Sequence, residues 1–194
     1  VPWLVRLAVD DLVRAAGFPG TRMIPAAHAV RAALALKLTS TERRSHVMDL
    51  VFDEGLALWA GLNVLPKTTF LSQYSSRLGP RRLTTLLDGW VQTLRGHQVL
   101  PGQSFNLDFH SIPFFGADEF IEKHYVSRRS RRQKSVLAFL AQDGDTRVLC
   151  YCNADLRKGE EADEVLAFVR FWTRQTGQPP PHLVFDSQLT TYRN

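Results

Sequence analysis

Apolar positions recur with two different periods along this chain, and the change between them falls near Pro101-Gly102. Through the first hundred residues the period is helical. Residues 26–38 are rich in Ala and Leu and follow Pro25, a residue suited to a helix entrance. Thr39-Ser40-Thr41-Glu42 carries capping-box spacing and predicts the start of the next helix. Its apolar stripe would comprise Val47, Val51, Leu58 and Trp59, widened by Met48, Phe52 and Leu56, with Gly61-Leu62-Asn63 as its end. Pro66 suits the first turn of a helix over about 66–78, with Phe70, Leu71, Tyr74 and Leu78 on one face. Gly79-Pro80 breaks that helix. Leu83, Leu86, Leu87, Trp90, Val91 and Leu94 mark a further one, closed by Gly96.

Beyond Pro101 the period shortens to two. Residues 104–112 alternate, with Phe105, Leu107 and Phe109 on one face and Asn106, Asp108 and His110 on the other, which predicts a strand. Residues 114–134 hold acids and then a dense basic run. Ser135 to Ala141 has the composition of a buried strand, Asp143-Gly144-Asp145 is a hairpin turn signal, and Arg147 to Cys152 returns as the next strand. A helix follows over residues 159–176. Glu160, Glu161, Asp163 and Glu164 occupy its first turns, where the helix dipole favours anions. Val165, Phe168, Val169 and Trp172 form its apolar face, and Gly177 with Pro179-Pro180-Pro181 stops it. Leu183-Val184-Phe185 is a short strand ending at Asp186. The order strand, strand, strand, helix, strand predicts an α/β domain over 101–194 behind an all-helical region over 1–100. A helical crossover makes the strands it joins parallel. If the last strand lies beside the first, Asp108 and Asp186 meet near one sheet edge.

With 194 residues and 44% hydrophobic content, the chain can bury a core. No apolar run approaches the roughly 20 residues that span a bilayer, and no signal peptide is visible. Cys150 and Cys152, two positions apart in a strand, share a side and are poorly placed for a mutual disulfide. They are expected to be small, reduced core residues, which fits a cytoplasmic protein. The chain opens with Val1-Pro2 rather than Met and stops at Asn194, so a fragment is expected. Net charge is +5, unevenly spread. Residues 1–103 carry 12 basic and 7 acidic side chains, and residues 104–194 carry 12 of each. The basic excess therefore lies in the first half and suggests an anionic partner there.

Four features carry chemistry. Two carboxylates on neighbouring strands, Asp108 and Asp186, would bind Mg²⁺ or Mn²⁺, hard ions that prefer carboxylate oxygen. Two such ions can activate a water or a 3′-hydroxyl and stabilise the leaving oxygen. The plainer alternative makes Asp108 an exposed strand residue and Asp186 a cap. His110 follows Asp108 on the same face, as a ligand, proton shuttle or phosphate contact, or as a hydrogen-bonded structural residue. The run Lys123, His124, Arg128, Arg129, Arg131, Arg132 and Lys134 contains no acid and carries the guanidinium forks that match phosphate geometry, with Tyr125 as a stacking surface. A solvated loop is the competing account. Finally, the helices around Gly61 fit either a helix-turn-helix or an ordinary bundle. In the first case Lys67, Thr68, Ser72, Gln73, Ser76 and Arg77 would face DNA. There is no glycine-rich phosphate loop, zinc-type cysteine spacing or Gly-x-Ser-x-Gly.

Three stretches, Phe105-Asn106-Leu107-Asp108-Phe109-His110-Ser111-Ile112-Pro113, Glu122 to Lys134, and Leu183-Val184-Phe185-Asp186-Ser187-Gln188-Leu189-Thr190-Thr191-Tyr192, resemble bacterial insertion-sequence transposases of the DDE class. So does Leu65-Pro66-Lys67-Thr68-Thr69-Phe70-Leu71-Ser72 upstream. The resemblance implies a ribonuclease H-like sheet, truncated here, behind a helical DNA-binding region. Asp108 would be the first catalytic acid and Asp186 the second. Arg128, Arg129, Arg131, Arg132 and Lys134 would hold phosphate backbone, joined by Lys67 and Arg77 from the helical region. The implied partners are double-stranded DNA, both transposon ends and target, and a homo-oligomer assembled on it. The implied location is the bacterial cytoplasm, at the nucleoid. The third acid of the class, usually a Glu on a later helix, has no counterpart among these residues. A non-catalytic DNA-binding remnant is therefore the alternative to a strand-transfer enzyme.

Overall fold

A computed structural model of the chain describes residues 2–41, 44–50, 52–61 and 66–185, without the side chains of Arg44, Ser45 and Arg128. The fold mixes helices with a mixed sheet and divides into two compact units, Val1–Trp90 and Val91–Asn194. No helix among the described residues is long and apolar enough to cross a membrane.

The first unit is helical: α1 (Pro2–Arg6), α2 (Val9–Ala15), α3 (Ala26–Leu38), α4 (Glu54–Ala60), α5 (Thr68–Tyr74) and the first part of α6 (Pro80–Gly96), with 3₁₀ turns at Arg44–Leu50 and Ser75–Arg77. The small side chains of Ala29 and Ala32 on α3 let Ile24, Ala60 and Tyr74 approach closely, while Leu36 packs with Val47 and Leu71 in a second cluster. Polar contacts fix the register. Arg31 Nε donates to Asp10 Oδ1 at 2.9 Å, and the Tyr74 hydroxyl donates to the Pro19 carbonyl at 2.9 Å.

The continuous helix expected from Thr39 to Gly61 does not form. Thr39-Ser40-Thr41 closes α3 instead of opening a new helix. Ser40 takes a left-handed φ of 56°, its N–H donates to Lys37 O at 3.2 Å, and the Thr41 N–H reaches back to Leu36 O at 2.8 Å. This is the paired closure of a Schellman motif, with Ser in the usual glycine position. The Thr39 hydroxyl donates to Ala35 O at 3.0 Å, a back-bond to the i−4 carbonyl that ties it to the end of α3. Asp53 then caps a separate α4, its Oδ1 accepting from the Leu56 N–H at 3.0 Å. Because the helix is broken, its expected stripe scatters: Val47 and Leu56 are buried, whereas Met48, Phe52 and Leu58 are exposed. The helix after Pro66 is also shorter than its pattern, tightening to 3₁₀ geometry after Tyr74.

The second unit holds the end of α6, then β1 (Ser104–Pro113), β2 (Lys123–Val126), β3 (Arg131–Asp143), β4 (Leu149–Leu156), α7 (Glu161–Thr176) and β5 (His182–Phe185). β1 pairs antiparallel with β3 in unbroken register from Phe105↔Asp143 to Pro113↔Ser135. β4 takes the other side of β3, and β5 lies parallel to β1 from Ser104↔His182 to Leu107↔Phe185. Four strands therefore run β4-β3-β1-β5. β2, which the pattern did not predict, adds to the N-terminal end of β3.

One sheet face is covered by α7. Phe105 meets Phe168 and Trp172 edge-on, at centroid distances of 5.2 and 4.5 Å, and Tyr151 meets Phe171 at 4.9 Å. Glu164 is part of this buried layer rather than an exposed anion at the helix start. Its carboxylate accepts from the Tyr151 hydroxyl at 2.8 Å and from Asn153 Nδ2 at 3.0 Å. Asp143, predicted as a turn residue, is fully buried and also ties the entrance of β1 to the β3–β4 turn. It accepts from the Gly102 N–H at 2.9 Å and from the Thr146 N–H and hydroxyl at 2.8 and 2.9 Å. Gly102 cannot be replaced without movement there: its φ is +71°, and a Cβ would lie 2.3 Å from Trp172.

The two thiols are free, but they do not share an environment: Cys150 is buried and Cys152 exposed. Tyr151 pairs with Ala141 and Leu149 with Gln142, which leaves Cys150 as an extra residue in β4. That bulge breaks the alternation on which the expectation of two core cysteines rested. Burial, and then the nearby Asp143, push the Cys150 thiol up to about 12.

Candidate nucleic-acid and metal site

β1 carries the polar positions of the site because its alternation is honoured throughout. Phe105 and Leu107 turn under α7, and Asn106, Asp108 and His110 stand exposed on the opposite, open face. Asp108 lies opposite Leu140 of β3, and His110 lies opposite Ala138. Asp186 falls outside the described residues; β5 is described as far as Phe185, the register partner of Leu107. Among the described residues, which exclude Asp186, there is no group of three His, Cys, Asp or Glu arranged to hold a metal ion.

The same alternation extends to the basic run. β3 pairs without slippage from Ser135 to Asp143 with β1, and from Arg131 to Lys134 with β2. Even-numbered positions of β3 therefore share the open face: Leu140 beside Asp108, Ala138 beside His110, then Lys134 and Arg132 toward the hairpin. Lys123 lies directly opposite Lys134, and Tyr125 directly opposite Arg132, so this face of the hairpin presents three cations around one half-exposed tyrosine. Like charges placed directly across an antiparallel pair repel, and a bound anion relieves that cost. Lys134 is partly engaged, its Nζ donating to the Asp118 carbonyl at 2.7 Å.

The basic run is thus not one patch. Arg131 belongs to the opposite face, with its Nε 3.4 Å from Gln133 Oε1. Arg129 lies in the turn before β3, 5.1 Å over the Phe115 ring. The side chain of Arg128 is among those not described. Two large aromatics near the run, Phe115 and Phe120, are 76% and 89% exposed. Sequence reasoning passed over them. The available signal was two phenylalanines without helical or strand periodicity, immediately before a basic segment.

In the helical unit Lys67 precedes α5 and Arg77 ends the 3₁₀ turn that follows it; both are exposed. α5 spans seven residues, about 10 Å. Two of the hydroxyls assigned to DNA make local bonds: Ser72 Oγ donates to Thr69 O at 3.0 Å and Ser76 Oγ to Gln73 O at 2.7 Å. The segment between α4 and α5 includes residues 62–65, so that part of the expected helix-turn-helix falls outside the described residues.

No protein-family model, curated protein or solved structure matches the chain.

Proposed function

We propose that this chain is a DNA-processing protein of the DDE transposase class, its second unit a ribonuclease H-like sheet and its first unit an accessory DNA-binding region. One observation carries the reading. Strands run β4-β3-β1-β5, and the parallel β1–β5 ladder has Leu107 opposite Phe185 as its last pair. The next residue in sequence after each of these two is an aspartate, Asp108 in one case and Asp186 in the other. A shared ion requires the carboxylates of Asp108 and Asp186 to come together, and Asp186 lies outside the described residues.

Carboxylate oxygens suit Mg²⁺ or Mn²⁺, and Asp108 is exposed as such a ligand requires. A metal held there would supply charge stabilisation at a phosphate undergoing displacement. The chain's own residues would do the rest. Asp108 and Asp186 hold the ion. His110, two positions along the same face, meets a phosphate oxygen or a transferred proton. Arg132 and Lys134 grip the DNA backbone further along, aided by Arg128 and Arg129 at the turn, while Arg131 stands on the opposite face; Lys67 and Arg77 are further phosphate contacts within the helical unit. Lys134 and Arg132 lie six and eight positions along β3 from Leu140, the partner of Asp108. That is roughly 20 and 27 Å of strand, or about six to eight steps of a duplex.

The test is direct. Mn²⁺ binding followed by electron paramagnetic resonance is expected to weaken about tenfold or more in Asp108→Ala and in Asp186→Ala, with folding unchanged. Full Mn²⁺ affinity in both variants would sink the metal assignment. Duplex binding with a steep salt dependence but no divalent-ion-dependent cleavage would favour the second reading, a DNA-binding protein without strand transfer.

A further inference from the structure

Residues 114–134 combine two features on a single segment. The first is positive charge on the hairpin face, from Lys123, Lys134 and Arg132, with Tyr125 set among them and 55% exposed. The second is apolar aromatic surface left in solvent. Phe115 is 76% exposed with Arg129 over its ring, and Phe120 is 89% exposed. A folded chain gains nothing from leaving two phenylalanines and a tyrosine in water within eleven positions of one another. The three acids of the segment, Asp118, Glu119 and Glu122, only halve the charge of its six Lys and Arg side chains and leave a net +3. Asp118 Oδ1 accepts from the Phe120 N–H at 2.9 Å, Glu122 Oε2 accepts from the Lys158 N–H at 2.9 Å and lies 3.6 Å from His124 Nε2, and Glu119 is exposed. The Asp118 carbonyl accepts from Lys134, which joins the loop bearing Phe115 and Phe120 to the hairpin.

We infer that this segment is a stacking platform for single-stranded DNA. The inference rests on the proposed reading of the chain as a DNA-processing protein and deepens it by naming the form of DNA that the segment meets. Duplex DNA offers phosphates to Arg132 and Lys123 but hides its base faces. Unpaired bases expose theirs, and aromatic rings beside cations bind them with little sequence preference. Phe120 and Tyr125 supply the rings. Lys123, Arg132 and Lys134 hold the backbone between them.

The experiment measures binding of fluorescent dT20 and of a blunt 20-base-pair duplex to the whole chain at low salt. Phe120→Ala and Tyr125→Ala are each expected to weaken dT20 binding about tenfold and to leave duplex binding within about twofold. Tyr125→Phe keeps the ring and should keep dT20 binding. Arg132→Ala should weaken both probes and lower the salt slope by about 1. Both phenylalanine and tyrosine positions are exposed, so the alanine variants are expected to fold, and circular dichroism checks this. Aromatic variants that leave dT20 binding intact, or that lose duplex binding equally, would overturn the platform while leaving the proposed function standing. Absence of binding to either probe by the unaltered chain would overturn both. Tighter binding to rU20 than to dT20 would overturn the assignment to DNA.

Discussion

The helical unit and the sheet unit hold themselves together by different means. In residues 1–90 the buried clusters are small and built from alanines, with Tyr74 and a few aliphatics, and α4 carries a side-chain N-cap where α2, α3 and α5 carry none. In residues 91–194 a single layer of interlocked aromatics joins β1, β3 and β4 to α7, with every ring meeting another at 4.5 to 6.3 Å. The lesson is that a sheet distributes its order over residues far apart in the chain, whereas short helices keep theirs local. It follows that the second unit offers a rigid frame for an open polar face, and the first offers exposed cations on short elements.

That contrast can be broken at its strongest point. Phe105 is fully buried between Phe168 and Trp172, so Phe105→Ala should destabilise the sheet unit by about 3–5 kcal/mol. Amide hydrogen exchange is the measurement. Protection should fall across β1, β3 and α7 and remain in α3; equal loss in both units would show that they unfold together.

A base-induced loss of stability should follow from the same buried layer. The Cys150 thiol is held neutral by burial, and the Tyr151 hydroxyl is raised by burial and by Glu164. The folded chain therefore keeps protons that the unfolded chain releases. Stability is intact below the ordinary thiol value of 9.0 and declines as pH climbs toward about 12. Cys150 alone sets a slope of about 1.4 kcal/mol per pH unit across that window. Urea midpoints between pH 8 and 11 read it, and a Cys150→Ala chain with an equally steep decline would show another group in control.

The smallest expected effect is in the helical unit. Asp53→Ala removes the cap of α4 and should cost about 1 kcal/mol. A loss several times larger, seen in thermal melts, would mean that α4 is wired into a wider network than its local hydrogen bond suggests.

Much of the architecture could be read before any coordinates. The alternation of residues 104–112 placed Asp108 and His110 on one face and Phe105 on the other, because period two in a strand leaves no other choice. The α7 stripe and the parallel placement of β5 followed from equally regular signals. The pattern across residues 39–61 predicts one helix where the chain forms none that long, because it admits two solutions. Thr39-Ser40-Thr41 can open a helix or close one, and the choice depends on carbonyls of α3 that already lie within reach. The division of the basic run was illegible for a related reason. Arginines adjacent in sequence point to opposite faces once they enter a strand, and the apolar pattern starts that strand at Ser135, four residues after β3 begins.

Local pattern thus suffices for the two-period layout, the position of Asp108 and the identity of the crossover helix. Each of these depends on side chains only a few residues apart. Three features needed the packed chain: Asp143 as a buried tie between distant loops, the separation of Cys150 from Cys152 by a bulge, and the alignment of Arg132 and Lys134 with Asp108 on one open face. They depend on which backbone groups and side chains meet across long stretches of sequence. Only the register of paired strands supplies that information.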